Sequence, residues 1–215
     1  SSFEDVENVA KLYLTLKAFC SERRANAVAI SCNPRMEPMH VPCLAISKLR
    51  GEGLPAACEV DLYSAVTMTL LYSVSGKPAF MGNVVNVDAT TNTIAISHCA
   101  MPFVMDGSTQ QPYTLRSYHD MRFRGSVTAY VKLKRGQKVT IARMGKGLRE
   151  MLIMGGEIVD QKDGYDCRNT VFVKVSDVSA FFRNILGNHH CLIYGDYVEP
   201  LLTLCQLLGV RAIEI

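Results

Sequence analysis

Apolar residues at three- and four-residue steps, Val6, Val9, Leu12, Tyr13, Leu16 and Phe19, predict a helix over residues 4–24. Glu4, Asp5 and Glu7 sit near its start, where the helix dipole favours negative charge, and Arg23 and Arg24 near its end. The short apolar run 26–32 reads as a buried strand, and the three prolines Pro34, Pro38 and Pro42 make 33–42 a loop. A short helix is expected over 43–50, stopped by Gly51 and Gly53. An apolar helix follows over 62–74, closed by Gly76 and Pro78. Residues 79–88 and 93–99 have the texture of strands. Helices and strands in alternation predict a mostly parallel sheet covered by helices.

The pattern changes after about residue 100. Residues 125–144 alternate, break at Arg135-Gly136-Gln137 and alternate again, which predicts a hairpin. Residues 151–160 and 168–175 continue the series of short strands, as an antiparallel sheet or small barrel would. A helix over 176–186, a strand at 189–196, a helix over 198–208 and a final strand from Val210 complete the chain. The expected division is an α/β segment over 1–100 and a β-barrel domain with a closing helix over 101–215.

Composition narrows the class. Apolar residues make up 48% of the 215, which excludes a disordered chain. No apolar stretch reaches the ~18 residues of a membrane span; the longest, 62–74, is cut by Ser64, Thr67, Thr69 and Ser73. A net charge of +3, 8% aromatic residues and no Trp give no argument for nucleic acid. Ser1 in place of Met leads us to expect a processed chain or a piece of a longer one. No basic leader precedes an apolar run. The eight cysteines lie mostly among apolar residues and none are spaced C-x-x-C. They are therefore expected to be reduced, small hydrophobes of a cytoplasmic protein rather than a zinc cage.

Three segments gather ligand-type side chains at strand ends, where open α/β sheets place their sites. Glu59 and Asp61 flank the start of the second apolar helix. Asp61 fits a helix start, whereas Glu59 lies between Cys58 and Val60 and needs a cation or metal. His98 follows an apolar strand and reads either as a structural histidine or as a ligand. His189 and His190 are adjacent on a strand, so only one can face a given pocket. Glu and His from three segments would suit Mn²⁺ or a related divalent ion. Cys58 and Cys99 neighbour an acid and a histidine in sequence, but strand neighbours face opposite ways, which argues against either as a nucleophile. The basic stretch from Lys132 to Lys138 reads as a solvated face.

The segments "CEVDLYSAVT" (58–67), "GKPAFMGNVV" (76–85), "SHCAMP" (97–102) and "GNHHCLIYGD" (187–196), in this order, resemble the L-fucose and L-arabinose isomerases and the fucose-isomerase-like proteins. These are Mn²⁺-dependent aldose–ketose isomerases. The resemblance covers the later half of such a chain. It implies the end of a Rossmann-like α/β domain followed by a Greek-key β-barrel. It also implies a monosaccharide substrate, a homo-oligomer, and an N-terminal domain, often from a neighbouring subunit, that completes the pocket.

Residue by residue, the resemblance gives Glu59 the role of metal ligand and acid or base. It gives His189, rather than His190, that of the late histidine ligand, and His98 that of an additional one. Asn83 stands where the family has a carboxylate. An amide oxygen can coordinate a hard cation but cannot take up a proton at neutral pH. Either a second base comes from elsewhere, with Asp61 and Asp88 the nearest in sequence, or proton transfer is impaired. The expectations are therefore an isomerase or a non-catalytic sugar-binding relative, with a metal-dependent epimerase or aldolase as a third. Arg116, Arg168 and Glu37 could hold substrate hydroxyls or form salt bridges.

Overall fold

The computed structural model describes residues 2–32, 41–119 and 126–215. The predicted proline loop and Glu37 lie mostly outside them. In chain order the elements are α1 (Phe3–Glu22), β1 (Val28–Ala29), α2 (Cys43–Gly51), β2 (Ala56–Ala57), α3 (Leu62–Ser75), β3 (Phe80–Asp88) and β4 (Thr93–His98). Then come β5 (Tyr113–Ser117), β6 (Val127–Val131), β7 (Lys138–Met144), β8 (Glu150–Lys162), β9 (Asn169–Val175), α4 (Val178–Arg183), β10 (His189–Tyr194), α5 (Val198–Leu208) and β11 (Arg211–Glu214).

Helix boundaries follow local chemistry. Ser2 and Asp5 form a reciprocal capping box at the start of α1. Asp61 caps α3 through the Ser64 N–H, and α3 and α5 end on left-handed Gly76 and Gly209.

Six strands close an antiparallel barrel in the order β8-β7-β10-β3-β4-β9, with β9 returning to β8; β11 adds to β8 in parallel. The barrel holds β3 and β4 beside strands from the later part of the chain. The mostly parallel sheet expected for the first third is therefore replaced by antiparallel pairing, and only the two-residue strands β1 and β2 pair in parallel there. The reason is that β3 finds its partner in β10, more than 100 residues later, which no local pattern announces.

The expected hairpin over 125–144 is also corrected. Its first half, from Val127, pairs with β5, and its second half with β10 and β8. The free edge of β6 is satisfied by side chains. Asn169 donates to the Ala129 carbonyl and accepts from the Val131 N–H, while Gln161 donates to the Val131 carbonyl and accepts from the Leu133 N–H. Two amides thus stand in for a ladder partner. β8 pairs with β7, β9 and β11, and β9 approaches it closely at Gly156, where a Cβ would lie 2.6 Å from Val173 Cγ1 and 2.9 Å from the Lys174 carbonyl oxygen.

Alternation divides the barrel residues between two cores. Phe80, Ile96, Ile141, Leu152, Val173 and Leu192 fill the interior, with Phe181 of α4 among them. Met81, Ala142, Ile153, Cys191 and Ile193 face outward against α2, α3 and α5 through Leu49, Met68, Leu71, Leu201 and Cys205. Arg50, fully buried, donates to the Ala56 carbonyl at 2.7 Å and the Ala100 carbonyl at 2.5 Å, tying β2 to the segment after β4. No helix among the described residues is long and apolar enough to cross a membrane.

Candidate metal centre

The outer face of β10 and β3 leads directly to a polar cluster. His189 pairs in register with Asn83, and Asn83 with Ser97, so these side chains share the face that carries Met81 and Cys191. His190 points the other way, into the barrel, edge-on to Phe181 with ring centroids 5.1 Å apart. The strand period therefore separates the two histidines, and His189 is the one that faces the acids. Burial pushes His190 down to about 4.

Glu59 reaches the cluster from the loop between β2 and α3. Its φ is 57° and that of Val60 is 53°, two successive left-handed residues, one of them β-branched. Such a backbone costs about 1–3 kcal/mol per residue and persists only when its surroundings impose it. Here Val60 N–H donates to the Ile30 carbonyl, Asp61 N–H to the Cys58 carbonyl, and Asp61 begins α3. The result is a carboxylate 50% exposed, with Oε1 3.7 Å from His98 Nε2 and Oε2 3.5 Å from His189 Nε2. The His98 and His189 rings lie 5.7 Å apart. Ligand atoms of Glu59, His98 and His189 all fall within 4.8 Å of one another.

The electrostatics fit cation ligands. His98 holds the Glu59 carboxyl below its usual range, so it is ionised at neutral pH. Burial pushes His98 below its usual 6.5, leaving it neutral and free to donate a lone pair. His189 Nδ1 lies 2.9 Å from Asp61 Oδ2. Because the ionised Asp61 only accepts, Nδ1 carries the proton and Nε2 keeps its lone pair. Nε2 is buried with no hydrogen-bond partner among the described residues and faces Glu59. An unpaired buried nitrogen of this kind, braced by a carboxylate behind the ring, is what a metal-ligating histidine requires.

Asp61 in turn is gripped by Arg143, whose Nη1 donates to Oδ2 at 2.6 Å and to Ser64 Oγ at 2.5 Å. Desolvation would raise the Asp61 pKa, but His189 and Arg143 outweigh it and hold the carboxyl well below its usual range. Asp61 is thus a helix cap and a support for His189 rather than a second base. Asp88 lies at the far end of β3, where it accepts from the backbone of Thr90 and Thr91. Asn83 neighbours His189, and its Oδ1 accepts from Asn188 Nδ2 at 2.7 Å.

Other sequence candidates find different roles. Arg116 and Arg168 both pair with Asp163, and Arg168 also donates to the Ser117 carbonyl. Cys58 is buried, and Cys32 and burial push its thiol up. Lys132, Lys134, Arg135 and Lys138 are exposed, as a solvated face requires. Sequence reasoning missed Arg143 and Asn188. A lone arginine inside the apolar strand "VTIARM" was the available signal, since a buried cation demands a partner.

No protein-family model matches the chain. It is 25% identical over 223 residues to a sulfoquinovose isomerase of Alkalicoccus urumqiensis, an alignment covering 98% of this chain and 49% of that protein. It is also 25% identical over 220 residues to a sulfoquinovose isomerase of Priestia megaterium, covering 97% and 48%. A third, from Clostridium sp. (strain MSTE9), is 25% identical over 178 residues, covering 79% and 39%. The chain spans about half the length of the first two.

Proposed function

We propose that the chain carries the metal- and substrate-binding centre of a sugar isomerase that interconverts an aldose and a ketose. One observation carries the reading: Glu59 converges with His98 and with a His189 whose buried Nε2 has no hydrogen-bond partner among the described residues. The names of the relatives support the reaction class. The fucose and arabinose isomerase type belongs to the same reading. So does a Rossmann-like origin for the segment before β3 and a Greek-key connection of the barrel that β3 and β4 share with the later strands.

In this reading Glu59, His98 and His189, joined by the Asn83 amide oxygen, hold a divalent cation of the Mn²⁺ kind. The cation supplies Lewis-acid stabilisation of the negative charge that develops on the sugar oxygens. Glu59 takes the proton from the carbon beside the carbonyl and returns it to the former carbonyl carbon, while a proton passes from the hydroxyl oxygen of the first carbon to the carbonyl oxygen of the second. Its exposure gives substrate access, and its depressed pKa keeps it in the accepting form. Asp61 and Arg143 hold His189 in position.

The pocket is completed by a further part of the protein or by a neighbouring subunit. Glu59 is half open to solvent. Beside Val60 and Asp61 runs an open groove of about 800 Å³ lined by Val28, Val60, Leu62, Val66, Leu70 and Leu148. An apolar groove of this kind, next to the chemistry, suits a covering element.

A second reading is a sugar-binding relative without turnover. It is favoured by Asn83, which cannot take a proton and whose oxygen already accepts from Asn188.

The test is incubation of the Mn²⁺-supplied protein with sulfoquinovose and a panel of aldoses in D₂O, followed by NMR. The expected result is a ketose with deuterium on the receiving carbon, abolished by Glu59→Gln. Absence of product from every sugar, with sugar affinity unchanged in Glu59→Gln, would establish the second reading instead.

A further inference from the structure

Beside the proposed isomerase centre lies a chemically different cluster. Cys99 Sγ, Cys167 Sγ and a His119 ring nitrogen all lie within 4.8 Å of one another, and Cys99 Sγ is 3.1 Å from His119 Nδ1. Cys43, the first residue of α2, is buried in the same core as Cys99. Two thiols and an imidazole from three separate stretches of chain thus meet at one place.

The backbone holds each stretch there by its own contact. The Cys99 carbonyl accepts from Thr128 Oγ1 at 2.6 Å, and Cys167 N–H donates to Ser97 Oγ at 3.0 Å. Arg168, next to Cys167, donates to the carbonyls of Ser117 and Tyr118 and so fixes the strand that delivers His119. Separate polar contacts thus hold the segments that bring the two sulfurs and the imidazole together.

A Cys–His pair at 3.1 Å could in principle serve a nucleophilic thiolate. Cys99 is 1% exposed, so no carbonyl carbon or other electrophile reaches its sulfur. The Cys167 thiol has no function in that scheme. A soft cation uses all three groups.

We propose that Cys99, His119 and Cys167 form a thiolate–imidazole site for Zn²⁺, separate from the Glu59, His98 and His189 centre. Zinc takes Cys₂His ligation with the fourth tetrahedral position left to water, with Zn–S about 2.3 Å and Zn–N about 2.0 Å, which sets ligand atoms about 3.5–3.8 Å apart. The three ligand atoms already lie within 4.8 Å of one another, so small side-chain rotations would bring them to that geometry. Sulfur donors select zinc over the hard, oxygen-preferring ions that suit a carboxylate centre. The site lies one residue beyond His98, so a bound zinc would tie the end of β4 to the loop entering β9. No C-x-x-C spacing announces it, because the ligands converge only in the folded chain.

The test is spectroscopic and independent of turnover. The purified protein, stripped of metal and kept reduced, is titrated with Co²⁺. The expected result is thiolate-to-cobalt charge-transfer absorption together with tetrahedral d–d bands, saturating at one equivalent and displaced by Zn²⁺. His189→Ala should keep this signal. Cys167→Ser and His119→Gln, at partly exposed positions that spare the core, should lose or strongly weaken it. Absence of charge-transfer absorption in the reduced protein, or its persistence unchanged in both variants, overturns the proposal. So does a Cys99–Cys167 disulfide found by mass spectrometry in protein prepared without oxygen.

Discussion

The Nδ1 of His189 donates to the carboxylate of Asp61 across 2.9 Å, joining residues 128 positions apart. That bond decides which ring nitrogen keeps its lone pair, and it aims the other nitrogen at Glu59. Asp61 is itself fixed by Arg143 and by its place as the cap of α3.

Asp61→Asn should therefore weaken Mn²⁺ binding by about 10–100-fold, as loss of the carboxylate behind a ligating histidine does. The same change leaves the Arg143 cation, 8% exposed, without its counter-charge. Stability should fall by about 3 kcal/mol. Calorimetric Mn²⁺ titration and urea unfolding measure the two effects separately.

His190→Ala is the counterpart. His190 faces the barrel interior against Phe181. Its removal should leave Mn²⁺ affinity within about twofold while costing about 2–4 kcal/mol for the cavity. Equal losses of affinity in His189→Ala and His190→Ala would contradict the facing of the two rings.

Asn83→Asp adds a negative charge beside His189. Mn²⁺ affinity should rise by about tenfold, since ligand charge tunes hard-cation sites. If isomerisation is limited by the missing carboxylate, turnover in the D₂O assay should rise as well.

Glu52 offers a test of pH dependence far from the site. Desolvation would raise its pKa, but Lys17, Lys48 and Tyr13 outweigh it and bring the carboxyl down to about 2 from 4.5. A depressed folded pKa means the contribution is fully present above the unfolded value and is lost as pH falls from about 4.5 towards 2. Glu52→Gln should cost about 1 kcal/mol at pH 7 after solvent screening. Wild type and variant should converge near pH 2 in urea unfolding.

Gly156→Ala should disturb barrel closure. Its Cβ would meet Val173 Cγ1 at 2.6 Å and the Lys174 backbone oxygen at 2.9 Å. The backbone cannot yield as a side chain can, so a loss of about 2–4 kcal/mol is expected. Gly155→Ala, with its nearest neighbour at 3.7 Å, is the control.

Much of this protein is legible in one dimension. The helical period of Val9, Leu12 and Leu16 marks α1, and alternation marks β3, β4, β7 and β9. The period of two alone puts His189 and His190 on opposite faces. Residue type alone singles out Glu59 and His98. Each of these signals is local, arising from backbone geometry over a few neighbouring residues. What the sequence leaves open is pairing between distant segments. The β5–β6 ladder in place of a hairpin, the Asp61 and Arg143 support behind His189, and the meeting of Cys99, His119 and Cys167 all join stretches far apart in the chain. Those choices are made by barrel closure and by the need of each buried polar group for a partner, and only the folded chain can satisfy both at once.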